Sequence, residues 1–355
     1  MKLNKVYLLL YIFFVFKIYA YNIPGGDLPS IIIPGKEPSF FQKIDPFQET
    51  KLFLNLSGRI TFIHERNILF SFPQTYYNNS LFPDFNSFEI SYKVSKYLLL
   101  SFGSDTFRLF DRNISISISN SKRTFFQKGA LRSWNLTPLI KWQKSLYAGF
   151  TANYLYGNIT TKSIEEYTDT TTEFSSTFKL QGFLPEFFTG LMLFKKIFLT
   201  GFIFFPAEVY KDKTDILKYP LETGLQLKTL TENNSFFCEA KYSAGSSFTE
   251  KNSEEFTPYN FRDTISILAG FSASSKTKKS LYRLTWLYQP LMYDRYSDRI
   301  SVFLSGLFVI ESFNISIDLE WAQRIYRGDG IFFDADSLIN EHIFRLIFGL
   351  SYAIY

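Results

Sequence analysis

The 355-residue chain has one cysteine, Cys238, and two histidines, His64 and His342. A single thiol excludes a disulfide framework and any cysteine-based zinc site. Two imidazoles leave little for histidine-based metal or acid–base chemistry, so no cofactor is expected. Beyond the N-terminus no apolar run approaches the roughly 18 residues of a membrane-spanning helix. Net charge is scarce as well. The formal +5 includes Lys2, Lys5 and Lys17, and without them the body is close to neutral. A nucleic-acid partner therefore loses its electrostatic support. What the chain has in abundance is aromatic surface, with 42 Phe and 23 Tyr. That much apolar area is incompatible with disorder.

The first twenty residues have the organisation of an export signal. Lys2 and Lys5 precede an unbroken apolar stretch from Val6 to Phe16, and Ile18-Tyr19-Ala20 leads into polar, Gly/Pro-bearing sequence. We read residues 1–20 as a secretory signal cleaved near Ala20. The other reading is a short membrane anchor, for which the run is cramped.

From residue 51 to the C-terminus the pattern has a period of two. Phe313, Ile315, Ile317, Leu319 and Trp321 share one parity, and Asn314, Ser316, Asp318, Glu320 and Ala322 the other. Leu52 to Phe62, Phe88 to Val94, Leu221 to Lys228 and Phe344 to Ile354 alternate in the same way. This period puts successive side chains on opposite faces of a sheet. Connection lengths narrow the class further. Short links such as Ser95-Lys96, Lys195-Lys196 and Glu311-Ser312 take turns with long ones such as Pro206 to Pro220, Ser246 to Asn260 and Tyr326 to Glu341. Short turns at one rim and long loops at the other mark a transmembrane β-barrel. To keep that alternation, Phe174 to Phe194 must be one strand despite Pro185, and Tyr97 to Asn120 must be one strand or a strand with an excursion. The expected fold is all-β: an antiparallel barrel of about 14 strands over residues 51–355. Trp134, Trp142, Trp286, Tyr288 and Trp321 fall near strand ends, where interfacial aromatic girdles lie.

Residues 21–50 are unlike the body. Pro24, Pro29, Pro34, Pro38 and Pro46 punctuate them, and Ile31, Ile32, Ile33, Phe40 and Phe41 form apolar clusters. Proline blocks central-strand pairing. The segment is either a periplasmic tail or a luminal plug. The apolar clusters favour the plug, because exposed Ile and Phe are poorly tolerated.

Signal, Pro/Gly-rich leader and strand count together resemble the outer-membrane channels for long-chain fatty acids and hydrocarbons (FadL-type). Trp134-Asn-Leu-Thr-Pro-Leu-Ile-Lys-Trp142, a Gln-Lys-Ser turn and Leu146 to Tyr154 are similar to the family's Asn-Pro strand, tight turn and Gly-rich strand. Gly182 to Phe205 and Arg262 to Tyr293 resemble later hairpins. Where the family's plug carries Asn-Pro-Ala, this leader has Ile33-Pro34-Gly35 and Asp45-Pro46-Phe47. The resemblance implies a hydrophobic small-molecule ligand, outer-membrane lipid around the wall, help from a barrel-assembly machinery, and sideways release of cargo through a kinked strand. Pro138 and Pro185 are the candidate points for that gap; the other reading of each is a harmless bulge.

By phase, the inward face mixes charge and grease. Glu89, Lys93, Lys141, Glu222, Lys228, Glu239, Lys241, Arg283, Asp318, Glu320, Arg324 and Arg345 point inward, as do Leu139, Leu155, Leu191, Leu193, Phe237, Leu268, Leu287, Phe303 and Leu307. A general porin shows a mostly polar lumen. Inward Leu and Phe suit an apolar cargo. Arg283, Arg324 and Arg345, with Lys141, are candidates for a carboxylate head group, although charged lumen residues also pair with one another. No catalytic set is apparent. His64 and His342 could be neighbours if the first and last strands pair, but no nucleophile and orienting acid accompany them. Asp334, Asp336, Asn340 and Glu341 resemble a cation loop without the spacing of one. The expected activity is passive transport of hydrophobic or amphipathic molecules, fatty-acid-like, without catalysis. The alternatives are a general porin and a surface adhesin or structural barrel.

Overall fold

A computed structural model describes residues 52–69, 74–109, 112–118, 121–142, 146–193, 197–212, 215–230, 234–247, 249–252, 255–258, 262–275, 280–290, 298–310, 313–327 and 338–354. The signal, the leader at 21–50 with Ile31 to Ile33, Phe40 and Phe41, and the loop residues Asp334 and Asp336 lie outside the described residues.

The period of two becomes strands β1 (Leu52–Leu69), β2 (Gln74–Lys93), β3 (Leu98–Leu109), β4 (Arg112–Ile118), β5 (Ser121–Lys141), β6 (Leu146–Tyr167), β7 (Thr171–Leu193), β8 (Ile197–Phe204), β9 (Ala207–Lys211) and β10 (Asp215–Tyr219). They continue as β11 (Glu222–Leu230), β12 (Asn234–Ser243), β13 (Thr249–Asn252), β14 (Glu255–Pro258), β15 (Thr264–Ser274), β16 (Ser280–Pro290), β17 (Asp298–Ile310), β18 (Phe313–Arg327) and β19 (Leu338–Ile354). Consecutive wall strands pair antiparallel, and β1 pairs with β19 from Leu52↔Ile354 to Ile68↔Leu338, closing the cylinder. The result is a closed 14-strand transmembrane barrel. Closure leaves no sheet edge in hydrocarbon, where each unpaired backbone group costs several kcal/mol.

Two ambiguous segments resolve as the alternation requires. Thr171 to Leu193 is one continuous strand through Pro185. β3 and β4 share one register against β5, Leu109 facing Ala130 and Arg112 facing Gln127, so they act as one tall strand. Two of the long upper connections are not open loops. Residues 206–220 hold β9 and β10, residues 246–260 hold β13 and β14, and the two hairpins pair through β10 and β13. Pairing satisfies backbone donors and acceptors that would otherwise need water. Asn340 and Glu341, read as part of a loop, belong to β19.

The faces separate by chemistry. Outward positions are apolar and exposed, among them Leu56, Ile60, Phe62, Leu225, Ile317, Phe344 and Phe348. Inward positions are buried and largely polar, among them Ser57, Arg59, Thr61, Thr285, Arg299 and Ser301. Trp134, Trp286 and Trp321 lie outward, as girdle residues should. Phase breaks at two points: the β1–β2 register shifts at Ser57/Gly58, and the β3–β5 register between Thr106 and Arg108. Above the first shift the odd residues of β2 turn outward, so Leu81 and Pro83 are exposed. One parity is corrected. In β7 the even face is buried, from Phe178 to Phe188, so Leu191 and Leu193 point outward. The upper turn at 168–170 fixes this phase, because the register it sets pairs Leu191 with Leu146 while inward Tyr147 faces Gly190.

At the upper rim, Asp263 tethers the turn at Gly245–Ser247. It accepts hydrogen bonds from the Ser246 amide at 3.0 Å and the Tyr242 hydroxyl at 2.6 Å. These bonds, from Ser246 first and then Tyr242, hold its carboxyl below the usual range. A depressed carboxyl contributes stability above its unfolded pKa and loses it as pH falls through the folded one. Hydrogen exchange at Ser246 should therefore quicken at acidic pH below the ordinary carboxylate range, and Asp263→Ala should show the fast exchange already at neutral pH. On the outward face, Phe348→Arg should destabilise the barrel by about 2–4 kcal/mol in denaturant unfolding from vesicles. An arginine at inward Ser305 should cost clearly less in the same assay.

Candidate transport path

The lumen is divided by sector. On β17, β18, β19 and β1 it is charged. Glu320 pairs with both Arg299 and Arg345, and Arg324 pairs with Glu341 through its Nε at 2.8 Å. Register explains the arrangement: Arg299 directly opposes Arg324, and Glu320 directly opposes Arg345. Two opposed guanidinium groups would repel; carboxylates on the neighbouring strands compensate them. Asp318 accepts from Ser305. A second polar sector lies on β11 and β12. There Lys241 Nζ meets Glu222 at 3.1 Å, the Ser243 hydroxyl donates to Glu222 at 2.6 Å, and Gln226 donates to Glu239 at 3.1 Å.

The sector formed by β5 to β9 is apolar near its top and its bottom, with a buried polar belt of Asn135, Thr137, Thr151, Asn153 and Glu186 at mid-height. Ile159 faces Phe178 near the top, Leu131 and Leu180 follow, then Leu155 and Val209 with Leu184 and Phe204 below. At the bottom, Leu99, Leu139, Tyr147, Phe188 and Phe198 form one buried cluster with Phe202 against it. Inward glycines make these clusters possible. Gly157 lies between Leu131 and Leu180, Gly182 between Leu155 and Val209, and Gly149 between Leu139 and Phe188. A Cβ at Gly149 would overlap the Phe188 ring, and one at Gly182 would crowd Val209. Large side chains thus fold over glycine hollows on the neighbouring strand.

The wall beside the lower cluster has a flaw. The β5–β6 ladder runs to Leu136↔Ala152 and resumes at Leu139↔Gly149, leaving Thr137 and Pro138 unladdered against Phe150 and Thr151. The register is unchanged across the gap, so this is no bulge. Proline lacks the N–H that the ladder needs. On its other side Pro138 stays paired with Leu100. From the inner face the Thr137 hydroxyl donates to Thr151 at 3.0 Å and bridges the interruption. Pro185, by contrast, remains paired with Ala152, and its carbonyl accepts from Phe205 at 3.0 Å. The irregular step near it is Phe205–Pro206, between β8 and β9.

The sequence-derived candidates divide accordingly. Leu139 lies in the lower apolar cluster and Pro138 at the flaw beside it. Lys141 sits over the Tyr147 ring at 5.5 Å. Phe237, Leu268, Phe303 and Leu307 face inward on the other side of the barrel, with Arg283 over the Phe237 ring at 5.3 Å. Arg324 and Arg345 are already matched by carboxylates, which weakens them as free partners for a cargo head group. Tyr147, Phe178, Leu184 and Phe188 were not singled out by sequence; the signal was their phase relative to Leu155. His64 and His342 do face each other, with ring centroids 6.4 Å apart. They point outward among Tyr77, Asn79 and Trp321. Among the described residues no group of three potential metal ligands occurs.

No protein-family model matches the chain, and no curated protein does. Solved structures do. The Pseudomonas putida toluene transporter TodX covers 87% of this chain and 91% of its own at 6% identity, with a TM-score of 0.62. A Pseudomonas aeruginosa FadL homologue matches at 10% identity over 86% and 91%, TM-score 0.58. The CymD monoaromatic hydrocarbon channel matches at 8% identity over 88% and 91%, TM-score 0.58. The chain thus shares the fold of the FadL-type barrels.

The shared carboxylate at the centre of the charged sector gives a direct test. Glu320→Gln leaves Arg299 and Arg345 buried without their counter-charge. It should cost about 3–5 kcal/mol in denaturant unfolding from micelles. The joint replacement Arg299→Met, Glu320→Leu and Arg345→Met should cost much less, since no charge is then stranded.

Proposed function

We propose that this barrel passively conducts hydrophobic or amphipathic small molecules across an outer membrane. One observation carries the reading: large apolar clusters line the inner wall of β5–β9 above and below its polar belt, and the lower one lies beside the unladdered stretch at Pro138. A water-filled porin has little use for such clusters, because grease inside a pore repels its water and ions. An apolar solute gains free energy on each of them, about 25 cal/mol per Å² removed from water. In the lower cluster, Leu139 and Phe188 deliver it beside Pro138, where no backbone ladder to β6 blocks the way to lipid. Fold-level likeness to hydrocarbon channels favours the same cargo class; by itself fold does not imply function.

In this reading the leader at 21–50 plugs the lumen, residues 1–20 direct export and are removed, and the barrel-assembly machinery inserts the strands. The rim with the short turns faces the periplasm. No chemical step is invoked, and the cargo is fatty-acid-like or a neutral hydrocarbon.

The test is paired flux and conductance in reconstituted bilayers. The full chain should pass a fluorescent fatty acid or a neutral aromatic while carrying little ionic current. Large steady currents from the intact protein would establish the porin instead. Pro138→Ala restores the missing donor and should slow apolar flux several-fold without raising conductance. Deleting residues 22–48 should raise conductance; no change would remove the plug from the scheme.

A further inference from the structure

Where the first and last strands meet, the outward face changes character within one row. Register aligns Leu319, Leu346 and Ile60 across β18, β19 and β1, and above them Trp321, Phe344 and Phe62. The next row is Gln323, His342 and His64 with Asn79 of β2, and the one above it holds Asn340, Arg66 and Tyr77. The two lower rows line a lipid-facing groove together with Val302 and Leu304. The histidine row is therefore the first with polar side chains, directly above the girdle tryptophan Trp321. Girdle aromatics mark the head-group level, so the two imidazoles stand where the sheet leaves hydrocarbon and water can reach them.

His64 and His342 are directly opposed in the ladder, which is the closest cross-strand relation a sheet offers. Their ring centres are 6.4 Å apart and their planes 25° from parallel. Tyr77 flanks His64 at 5.8 Å and Trp321 flanks His342 at 6.2 Å, so both half-buried imidazoles are held between aromatic neighbours. Asn79 sets the chemistry of His64, whose Nδ1 lies 2.8 Å from the Asn79 Oδ1. An amide oxygen only accepts, so Nδ1 carries the proton and Nε2 keeps its lone pair. A histidine that ligates a metal ordinarily donates its other ring N–H to an oxygen in this way. A nitrogen–metal distance of about 2.1 Å puts the ion about 3.2 Å from each ring centre, so two imidazoles on one ion have centres between about 5.2 Å at a tetrahedral angle and about 6.4 Å in line. The observed separation lies at the open end of that range. Closing it takes about 1 Å of side-chain rotation. Imidazole nitrogen selects Zn²⁺, Cu²⁺ or Ni²⁺ over Mg²⁺ and Ca²⁺, which take oxygen.

We propose that His64 and His342 together bind a divalent transition-metal ion, Zn²⁺ foremost, that clips the first strand to the last. The chain supplies two ligands, and water at the head-group level completes the shell. The two histidines are 278 positions apart in sequence, and only closure of the sheet brings them opposite. The ion thus binds the closed barrel and not the open chain, and stabilises it by mass action. The site lies on the outer surface, away from the lumen, and the inference is independent of the cargo.

The sample is the untagged full chain, folded in detergent and stripped of metal with a chelator. It has no third histidine, so every imidazole signal comes from this pair. With one equivalent of Cu²⁺ as the probe, electron-spin-echo modulation should show two coordinated imidazoles. A single imidazole, or none, overturns the proposal. Zn²⁺ should raise the thermal unfolding midpoint saturably, and the chelator should reverse the rise. His64→Gln and His342→Gln should each abolish that shift, and Asn79→Ala should weaken the apparent affinity about tenfold. A shift retained in either histidine variant overturns the proposal, as does an equal shift with Mg²⁺ in place of Zn²⁺. Folding is read separately from heat-modifiable gel migration; if a variant does not fold, the spin-echo result on the natural sequence decides. Apolar flux measured without metal should be the same in His64→Gln, so loss of the metal site and failure of the transport reading are distinguished.

Discussion

In hydrocarbon a backbone N–H or C=O must find its partner within the protein, and every feature of this molecule is arranged around that demand. The β1–β19 ladder, which unites the two ends of the described chain, removes the last free edge. The same demand turns the long upper connections into paired hairpins where they can pair. It also makes Pro138 conspicuous: one missing donor in a wall that tolerates few leaves two residue pairs unladdered. The threonine bridge from Thr137 to Thr151 holds that stretch together with side chains instead of backbone. A side-chain hydrogen bond of net worth about 1 kcal/mol is easier to open than a ladder. The interruption thus lies at the polar belt, directly above the Leu139–Phe188 cluster.

With the backbone satisfied, the interior is free to differ from sector to sector. The charged sector follows from opposed arginines on β17 and β18 that require Glu320 and Glu341. Such buried pairs do little for net stability, but removing one member strands the other. The β5–β9 sector uses the opposite device. Glycines at alternate cross-strand positions let Leu, Val and Phe lie flat against the wall. One side of the lumen is therefore polar and locked, and the other carries apolar clusters above and below a polar belt. An apolar solute would follow those clusters. Outside, Lys128, Arg132 and Lys179 line a groove on the same β5–β7 strands, beside the stacked rings of Trp134, Tyr154 and Tyr156.

Much of this was legible beforehand because a strand's side-chain period is two, and hydrophobic alternation survives in the raw sequence. Leu139, Phe237 and Phe303 were assigned inward from alternation alone and are inward. Leu191 and Leu193 were not, because phase within a long strand is set by the turn before it, and nothing in Thr171 to Leu193 reports which parity meets Tyr147. The shifts at Ser57/Gly58 and Thr106/Arg108 reverse the faces in the strand parts above them without leaving a compositional mark. The partnerships of Arg324 and Arg345 were illegible for a related reason: their partners lie directly opposite on a neighbouring strand, and the register that sets them there depends on where the long β18–β19 connection ends.

The amino-acid sequence by itself determined that the chain forms strands, how many cross the membrane, and that first and last must meet, since alternation and turn length are local properties. It also placed Pro138 on an outward parity. Which inward residues gather into apolar clusters, which arginines meet which carboxylates, and that Lys128, Arg132 and Lys179 line one groove were decided by tertiary structure alone. Each depends on interstrand register, and register is a property of the closed sheet, with no counterpart in any single strand.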